Sequence, residues 1–242
     1  MKICIDAGHG GYDSGAVGNG LKEKDITLKI ALKVRDMLKG VCDVVLTRDS
    51  DKTSWDSNND LQIRCDIANK ANADYFVSIH VNSAGGAAGT GFESYVSRVA
   101  SQRSRDLGKK IHDSLAEFYK GKGLSDRGFK EAGFYVLQHT KMPATLIENL
   151  FINNPDDAKF LADDNFINDL SNSIVTALKG ALDIITPVAN KTSILEQSDM
   201  HVKPASQPPT QPQVISLDEY NKIKAERDSL QTKIDEIKKI IG

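Results

Sequence analysis

The period of the apolar positions changes along the chain and assigns its elements. Lys2–Asp6 is a short β-rich run, and Lys24–Leu38 repeats Ile26, Ile30, Val34, Met37 and Leu38 at helical spacing. Cys42–Leu46 is β-like again, and Asp60–Asn69 is helical, with Leu61, Ile63, Ile67 and Ala68 apolar. Tyr75–Val81 is a near-continuous apolar run, as a strand buried on both faces requires. Gly91–Val96 predicts another strand and Arg98–Tyr119 a long amphipathic helix. Phe134–Leu137 and Ala144–Phe151 predict two more strands; Asp156–Leu161, opened by Asn-Pro, and Phe166–Ile185 predict closing helices. Strands alternating with helices predict an α/β fold: a mostly parallel twisted sheet flanked by helices on both faces. In such folds the site lies at the carboxyl ends of the strands.

This pattern stops near residue 186. Five of the seven prolines lie between 187 and 212, and every aromatic except Tyr220 lies at or before Phe166. Residues 1–186 therefore read as the catalytic-sized domain and 187–213 as a Pro-rich extended linker. In the last segment, 214–242, Tyr220, Ile223, Arg227, Leu230, Ile234, Ile237 and Ile241 alternate spacings of three and four. That is an a/d seam, which predicts a short helix and self-association as a coiled coil through residues 216–241, the alternatives being a frayed tail or a helix folded back on the domain. Arg227 is the polar exception in the seam.

Composition narrows the function classes. With 31 Lys+Arg against 33 Asp+Glu the net charge is −2, which argues against a chain built to coat nucleic acid. No stretch approaches the roughly 18 apolar residues of a membrane span. Cys4, Cys42 and Cys65 contain no CxxC pair and predict structural thiols. The start, Met1-Lys2-Ile3-Cys4-Ile5-Asp6, reads as a first strand rather than a secretion signal, and leads straight into Gly-rich loop chemistry.

Chemistry concentrates at a few strand ends. His9 and His80 each follow a predicted strand at its carboxyl end, whereas His112 and His201 read as solvated. His139 follows a predicted strand and would reach the rim of the cleft; Arg64 would pack or pair near the sheet. Glu23 opens the first helix, where an acid is equally explained by the helix macrodipole. Glu148 lies inside the otherwise apolar Ala144–Phe151 run, where a carboxylate is costly unless paired or used. Asn82 and Arg127 are candidates for polar substrate contacts.

Asp6-Ala-Gly-His9-Gly-Gly, Leu21-Lys-Glu23-Lys-Asp, Val77-Ser-Ile-His80-Val-Asn82, Asp126-Arg-Gly-Phe-Lys130 and Met142-Pro-Ala-Thr-Leu-Ile-Glu148-Asn-Leu-Phe-Ile-Asn-Asn-Pro155 occur in that order. Together, over about residues 1–182, they resemble the zinc-dependent N-acetylmuramoyl-L-alanine amidases of bacterial autolysins and phage endolysins. The resemblance implies that His9, Glu23 and His80 bind one zinc ion and that Glu148 is the catalytic carboxylate. Two imidazoles and a carboxylate leave one tetrahedral position open, the pattern of a catalytic zinc site. It also implies peptidoglycan as substrate; a start that reads as a strand rather than a secretion signal fits a phage endolysin released by a holin-type route, or an unusual host autolysin. His139, where many relatives carry an acid, and Asn149, where a small residue is common, depart from the family pattern. The competing expectations are a zinc peptidase acting on free peptides and a non-catalytic wall-binding protein.

Overall fold

The computed structural model of the chain describes residues 1–85 and 89–184. The linker at 187–213 and the seam at 216–241 lie outside the described residues. The chain divides into two units, Met1–Ala189 and Asn190–Gly242, and the first holds everything that follows.

Among the described residues, eight strands and six helices run in the order β1 Lys2–Ala7, β2 Val17–Gly18, β3 Leu21–Lys22, α1 Glu23–Leu38, β4 Asp43–Leu46, α2 Asp60–Lys70, β5 Tyr75–Asn82, β6 Phe92–Ser97, α3 Gln102–Gly121, β7 Asp126–Ala132, α4 Tyr135–His139, β8 Ala144–Phe151, α5 Pro155–Ala162 and α6 Asp164–Ala181. Six strands form one sheet in the order β4-β1-β5-β8-β6-β7, and β2 pairs with β3. Within the six-stranded sheet neighbours run parallel except β6 against β8, which is antiparallel, as is the β2–β3 pair. The expected mostly parallel sheet with helical cover is therefore present. No described helix is long and apolar enough to cross a membrane.

Strand alternation sorts the two faces. Ile3, Ile5 and Ala7 of β1, with Tyr75, Val77, Ile79 and Val81 of β5, face the larger core beneath α1, α3 and α6. The intervening Cys4 and Phe76, with Ala144 and Leu146 of β8, face a smaller core completed by Cys65, Val136 and Leu137. Continuing that second parity toward the carboxyl ends reaches Asp6, Ser78, His80 and Glu148, and across the antiparallel pair Glu93 and Tyr95. One face of the sheet thus turns from apolar to polar within a few residues, and the cleft opens there.

Three expectations need correction. Phe134–Leu137 is not a strand: the strand is β7, Asp126–Ala132, and Tyr135–His139 forms α4. A four-residue apolar run carries too little periodicity to separate helix from strand. β7 pairs only with β6, as an edge strand, and its charged residues hide the β pattern. His112 is not solvated: it is buried, with Nδ1 on Ser94 Oγ at 2.9 Å and its ring stacked on Phe92. His139 ends α4 instead of following a strand, and lies flat against Tyr135, with ring centroids 3.8 Å apart.

Candidate metal centre and catalytic cleft

The loop after β1 is pegged from beneath. Arg64 on α2 donates to Asp6 Oδ1 at 2.7 Å, to the Ala7 carbonyl at 2.8 Å and to the His9 carbonyl at 2.6 Å. Arg48 donates to the carbonyls of Ala7 and Gly8. Between them the two guanidiniums satisfy three consecutive carbonyls and hold His9 in a left-handed conformation, φ 61°, that a non-glycine residue adopts only when its surroundings impose it. Gly8 has a different reason to be glycine: a Cβ there would stand 2.5 Å from His80 Cε1. At Gly15, where φ is +63°, a Cβ would strike His9 and Glu23 at 2.6 and 2.7 Å.

Three side chains converge above this loop. Glu23 is the first residue of α1, and each of its oxygens is fixed by a backbone N–H: Oε1 accepts from Val81 and Oε2 from Ala16, both at 2.9 Å. Oε1 faces His80 Nδ1 at 2.9 Å and Oε2 faces His9 Nε2 at 3.1 Å. The rings of His9 and His80 meet edge-on, with centroids 4.9 Å apart at 80°. One ligand atom from each residue lies within 4.8 Å of the others. Burial opposes charge on His9, but the hydrogen bonds and charges of Glu23 and Asp13 outweigh it and raise its pKa. Burial likewise opposes charge on Glu23, and the two imidazoles outweigh it, holding the carboxylate well below its usual range.

The donor set, two imidazole nitrogens and one carboxylate, fits a borderline divalent cation, which three protein ligands would leave able to take a further one. His9 Nδ1 lies 2.6 Å from Asp13 Oδ2, the carboxylate–imidazole contact that assigns the proton to Nδ1 and turns Nε2 toward Glu23. Asp13 Oδ1 takes the Gly15 N–H at 2.9 Å, and the Asp13 backbone bridges Gly10, so the orienting carboxylate is itself fixed.

Glu148 shares the cleft. It is the register partner of His80 on one side and of Glu93 on the other, so His80, Glu148 and Glu93 form a row across β5, β8 and β6. Its Oε2 is buried and has no hydrogen-bond partner. Burial, then the charges of Glu23 and Glu93, push its pKa well above the ordinary carboxylate value. The cleft, of about 360 Å³, is lined by His9, Asp13, Glu23, His80, Asn82, Phe134, Tyr135 and Glu148 among others.

Residues 3–180 match the family described as N-acetylmuramoyl-L-alanine amidase, Amidase_3. The chain belongs to this amidase family. It is 47% identical over 173 residues to an endolysin of Bacillus phage SPP1, which covers 70% of this chain and 61% of the phage protein. It is 43% identical over 188 residues to the sporulation-specific N-acetylmuramoyl-L-alanine amidase of Bacillus subtilis (strain 168), covering 76% and 69%. Among solved structures, the catalytic domain of CwlV, an N-acetylmuramoyl-L-alanine amidase from Bacillus (Paenibacillus) polymyxa var. colistinus, superposes with a TM-score of 0.69 at 36% identity, covering 76% of this chain and 99% of that one. The chain spans about three fifths of the phage relative.

Within this amidase domain the remaining candidates divide. Asn82 lines the cleft, but its amide donates to Glu93 Oε1 at 2.6 Å and its Oδ1 accepts from Ser83. Arg127 stands over the Phe151 ring at 4.8 Å and donates to Glu93 Oε2 at 2.9 Å. Arg64 is the expected pairing residue, buried on Asp6. Asn149 bridges Tyr119 OH and the His80 carbonyl, at 2.9 and 2.8 Å. Cys4 and Cys65 are buried free thiols, and burial pushes both up, Cys65 to about 12. Sequence reasoning missed Asp13, Glu93 and the β2–β3 hairpin. The hairpin had a signal, Asn19-Gly20 between two short β-runs, with both residues at positive φ. Glu93 had one too: an acid in a strand-like run, the same anomaly that marked Glu148.

Proposed function

We propose that this chain is a peptidoglycan hydrolase that cleaves the amide between N-acetylmuramic acid and the L-alanine of the stem peptide, with His9, Glu23 and His80 holding one zinc ion and Glu148 carrying the proton. The supporting observation is the convergence of two imidazoles on one doubly anchored carboxylate, in a cleft shared with an unpartnered carboxyl, within a chain of the amidase family. A zinc ion held there would lower the pKa of water from 15.7 to about 7 and act as a Lewis acid toward the scissile carbonyl.

The chain's own residues supply the rest. Glu23 and Asp13 orient the two imidazoles, and Gly8 and Gly15 let backbone and rings approach. Glu148, with its pKa raised by burial, is suited to take a proton from the attacking water and return it to the leaving alanine nitrogen. Asn82, which lines the cleft, and Arg127, which bonds Glu93 next to Glu148 in the sheet, would meet polar parts of the substrate. Action on the wall after holin-type release, and multivalent wall engagement through pairing of residues 216–241, complete the proposal.

The test is digestion of intact sacculi by the zinc-loaded chain. New L-alanine amino termini without new reducing ends, abolished by EDTA and restored by zinc, are expected. Cleavage of free peptides with sacculi untouched would make it a zinc peptidase. Wall binding with no product would make it a binding protein.

A further inference from the structure

Next to the catalytic row lies a second cluster of charge. Glu93 is nearly fully buried, and its two oxygens take four donors: Asn82 Nδ2 at 2.6 Å and Tyr95 OH at 2.8 Å on Oε1, Arg127 Nε at 2.9 Å and Lys130 Nζ on Oε2. One carboxylate therefore faces two cations, and the cluster keeps a net charge of +1. Neutralising Glu93 needs one cation. Arg127 and Lys130 are each more than a third exposed, at 38% and 37%, while Glu93 is only 5% exposed. Arg127 meets Glu93 through Nε and rests its plane on Phe151, which leaves the terminal nitrogens of its fork for another acceptor. Lys130 carries two further protons and stands 5.9 Å from the Tyr95 ring centre.

The placement relates this surplus charge to the reaction. Arg127 stands on β7, two strand spacings of about 5 Å from β8, and its Nε bonds Glu93, the register partner of Glu148, so its fork lies roughly 10 Å from Glu148. If the chain is the amidase proposed above, the substrate spans the cleft with its neutral glycan on one side of the scissile amide and its peptide on the other. The second stem residue, a D-glutamate joined through its side chain, leaves its α-carboxylate free. With 3.8 Å between consecutive Cα atoms, that carboxylate lies about 7 Å beyond the scissile carbon, and one hydrogen bond of about 3 Å closes the remaining distance.

We propose that Arg127 and Lys130, held in place by Glu93, form an anion subsite for the free α-carboxylate of the second stem-peptide residue, so that the peptide crosses from β8 toward β7 as it leaves. This rests on the amidase reading and adds a specificity to it: stems whose second residue is amidated, and therefore neutral there, are poorer substrates.

The experiment compares two soluble substrates with the zinc-loaded full chain: N-acetylmuramoyl-L-alanyl-γ-D-glutamyl-L-lysine, whose glutamyl α-carboxylate is free, and the same muramyl tripeptide with that α-carboxyl amidated. Wild type is expected to favour the free acid by about tenfold or more in kcat/KM, with the preference shrinking as salt is raised. Arg127→Ala, Arg127→Lys and Lys130→Met are expected to bring the two substrates toward equal rates. The Lys variant keeps charge but loses the fork. The wild-type comparison needs no substitution, so it stands even if a variant fails to fold. Equal rates for the two substrates in wild type, or an undiminished preference in folded variants, would overturn the subsite while leaving the amidase reading intact. Turnover of neither substrate would remove the amidase reading, and the subsite with it.

Discussion

Glu93 and Glu148 are register partners across β6 and β8, yet the two carboxyls are driven in opposite directions. Burial pushes both up. On Glu93 the hydrogen bonds from Lys130, Tyr95 and Arg127 outweigh it and bring the pKa down to about 2. No comparable donor reaches Glu148, and the neighbouring charges of Glu23 and Glu93 raise it further. Adjacent groups whose surroundings separate their pKa values divide labour: one stays ionised as a counter-ion, the other holds an exchangeable proton.

That arrangement carries a cost that can be measured in the metal-free protein. Below the ordinary value of 4.5, Glu148 is protonated both folded and unfolded and costs nothing. As pH rises above that value the unfolded chain ionises it freely while the folded chain resists, so stability falls until the raised folded pKa is passed. Glu148→Gln removes the penalty. In EDTA at pH 8 the variant should melt higher than wild type, by on the order of 2–4 °C for each kcal/mol relieved, and the gap should close below pH 4. A variant that melts at or below the wild-type temperature at pH 8 contradicts the assignment.

For activity the direction reverses. Glu148→Ala should bind zinc normally and lose on the order of 10²–10⁴-fold in turnover, the usual share of a proton-transfer group. His80→Ala should lose both metal and turnover. Elemental analysis beside a sacculus-turbidity assay separates the two, and near-normal lysis by Glu148→Ala would strip Glu148 of the role.

Asp13 meets the candidate metal-binding group through His9. Its Oδ2 fixes the imidazole and its Oδ1 is anchored on Gly15. Asp13→Asn keeps the shape but loses the charge, and should weaken zinc binding by about 10–100-fold, read by competition with a chelating dye. Asp13→Ala should do at least as much. Cobalt-substituted protein provides a spectroscopic check, because reorienting the His9 ring changes the ligand field even where the fold is intact. Unchanged affinity and unchanged spectra in both variants would reduce Asp13 to a loop residue.

How far the sequence reaches is clear from these residues. His9, His80 and Glu148 stand out because each interrupts or ends an apolar strand, where polarity is expensive and therefore informative. The parallel strands are legible for the same reason: burial on both faces leaves unbroken apolar runs. β7 escapes because an edge strand can carry Asp126, Arg127, Lys130 and Glu131 at no desolvation cost, so its sequence looks like a loop. His112 escapes because burial on a helix depends on what packs against it, here Phe92 and Phe129, which a helical period alone does not reveal. Asp13 and Glu93 act through contacts set by loop geometry and strand register, information that exists only once the sheet order is known.

The Asp6–Arg64 pair joins stability to the site directly. Both are almost wholly buried, with Asp6 Oδ2 also taking the Ser78 hydroxyl and Oδ1 the Thr47 hydroxyl, each at 2.6 Å. Burial opposes the Asp6 charge, but Arg64, Ser78 and Thr47 together hold its pKa below the ordinary value of 3.8. The stabilisation is therefore present above about that pH and lost as pH falls through the lower folded pKa. Removing one partner strands a buried charge: Arg64→Met or Asp6→Asn should each cost about 3–5 kcal/mol in urea unfolding at pH 7. The double variant should cost less than the sum, because the second substitution removes a charge the first had left unpaired. Arg64→Met should also weaken zinc binding, since the same guanidinium holds the His9 carbonyl and with it the left-handed backbone that presents the ring. Additive single costs, or an Arg64→Met protein with full stability and full zinc affinity, would show that the loop after β1 holds its shape without this pair.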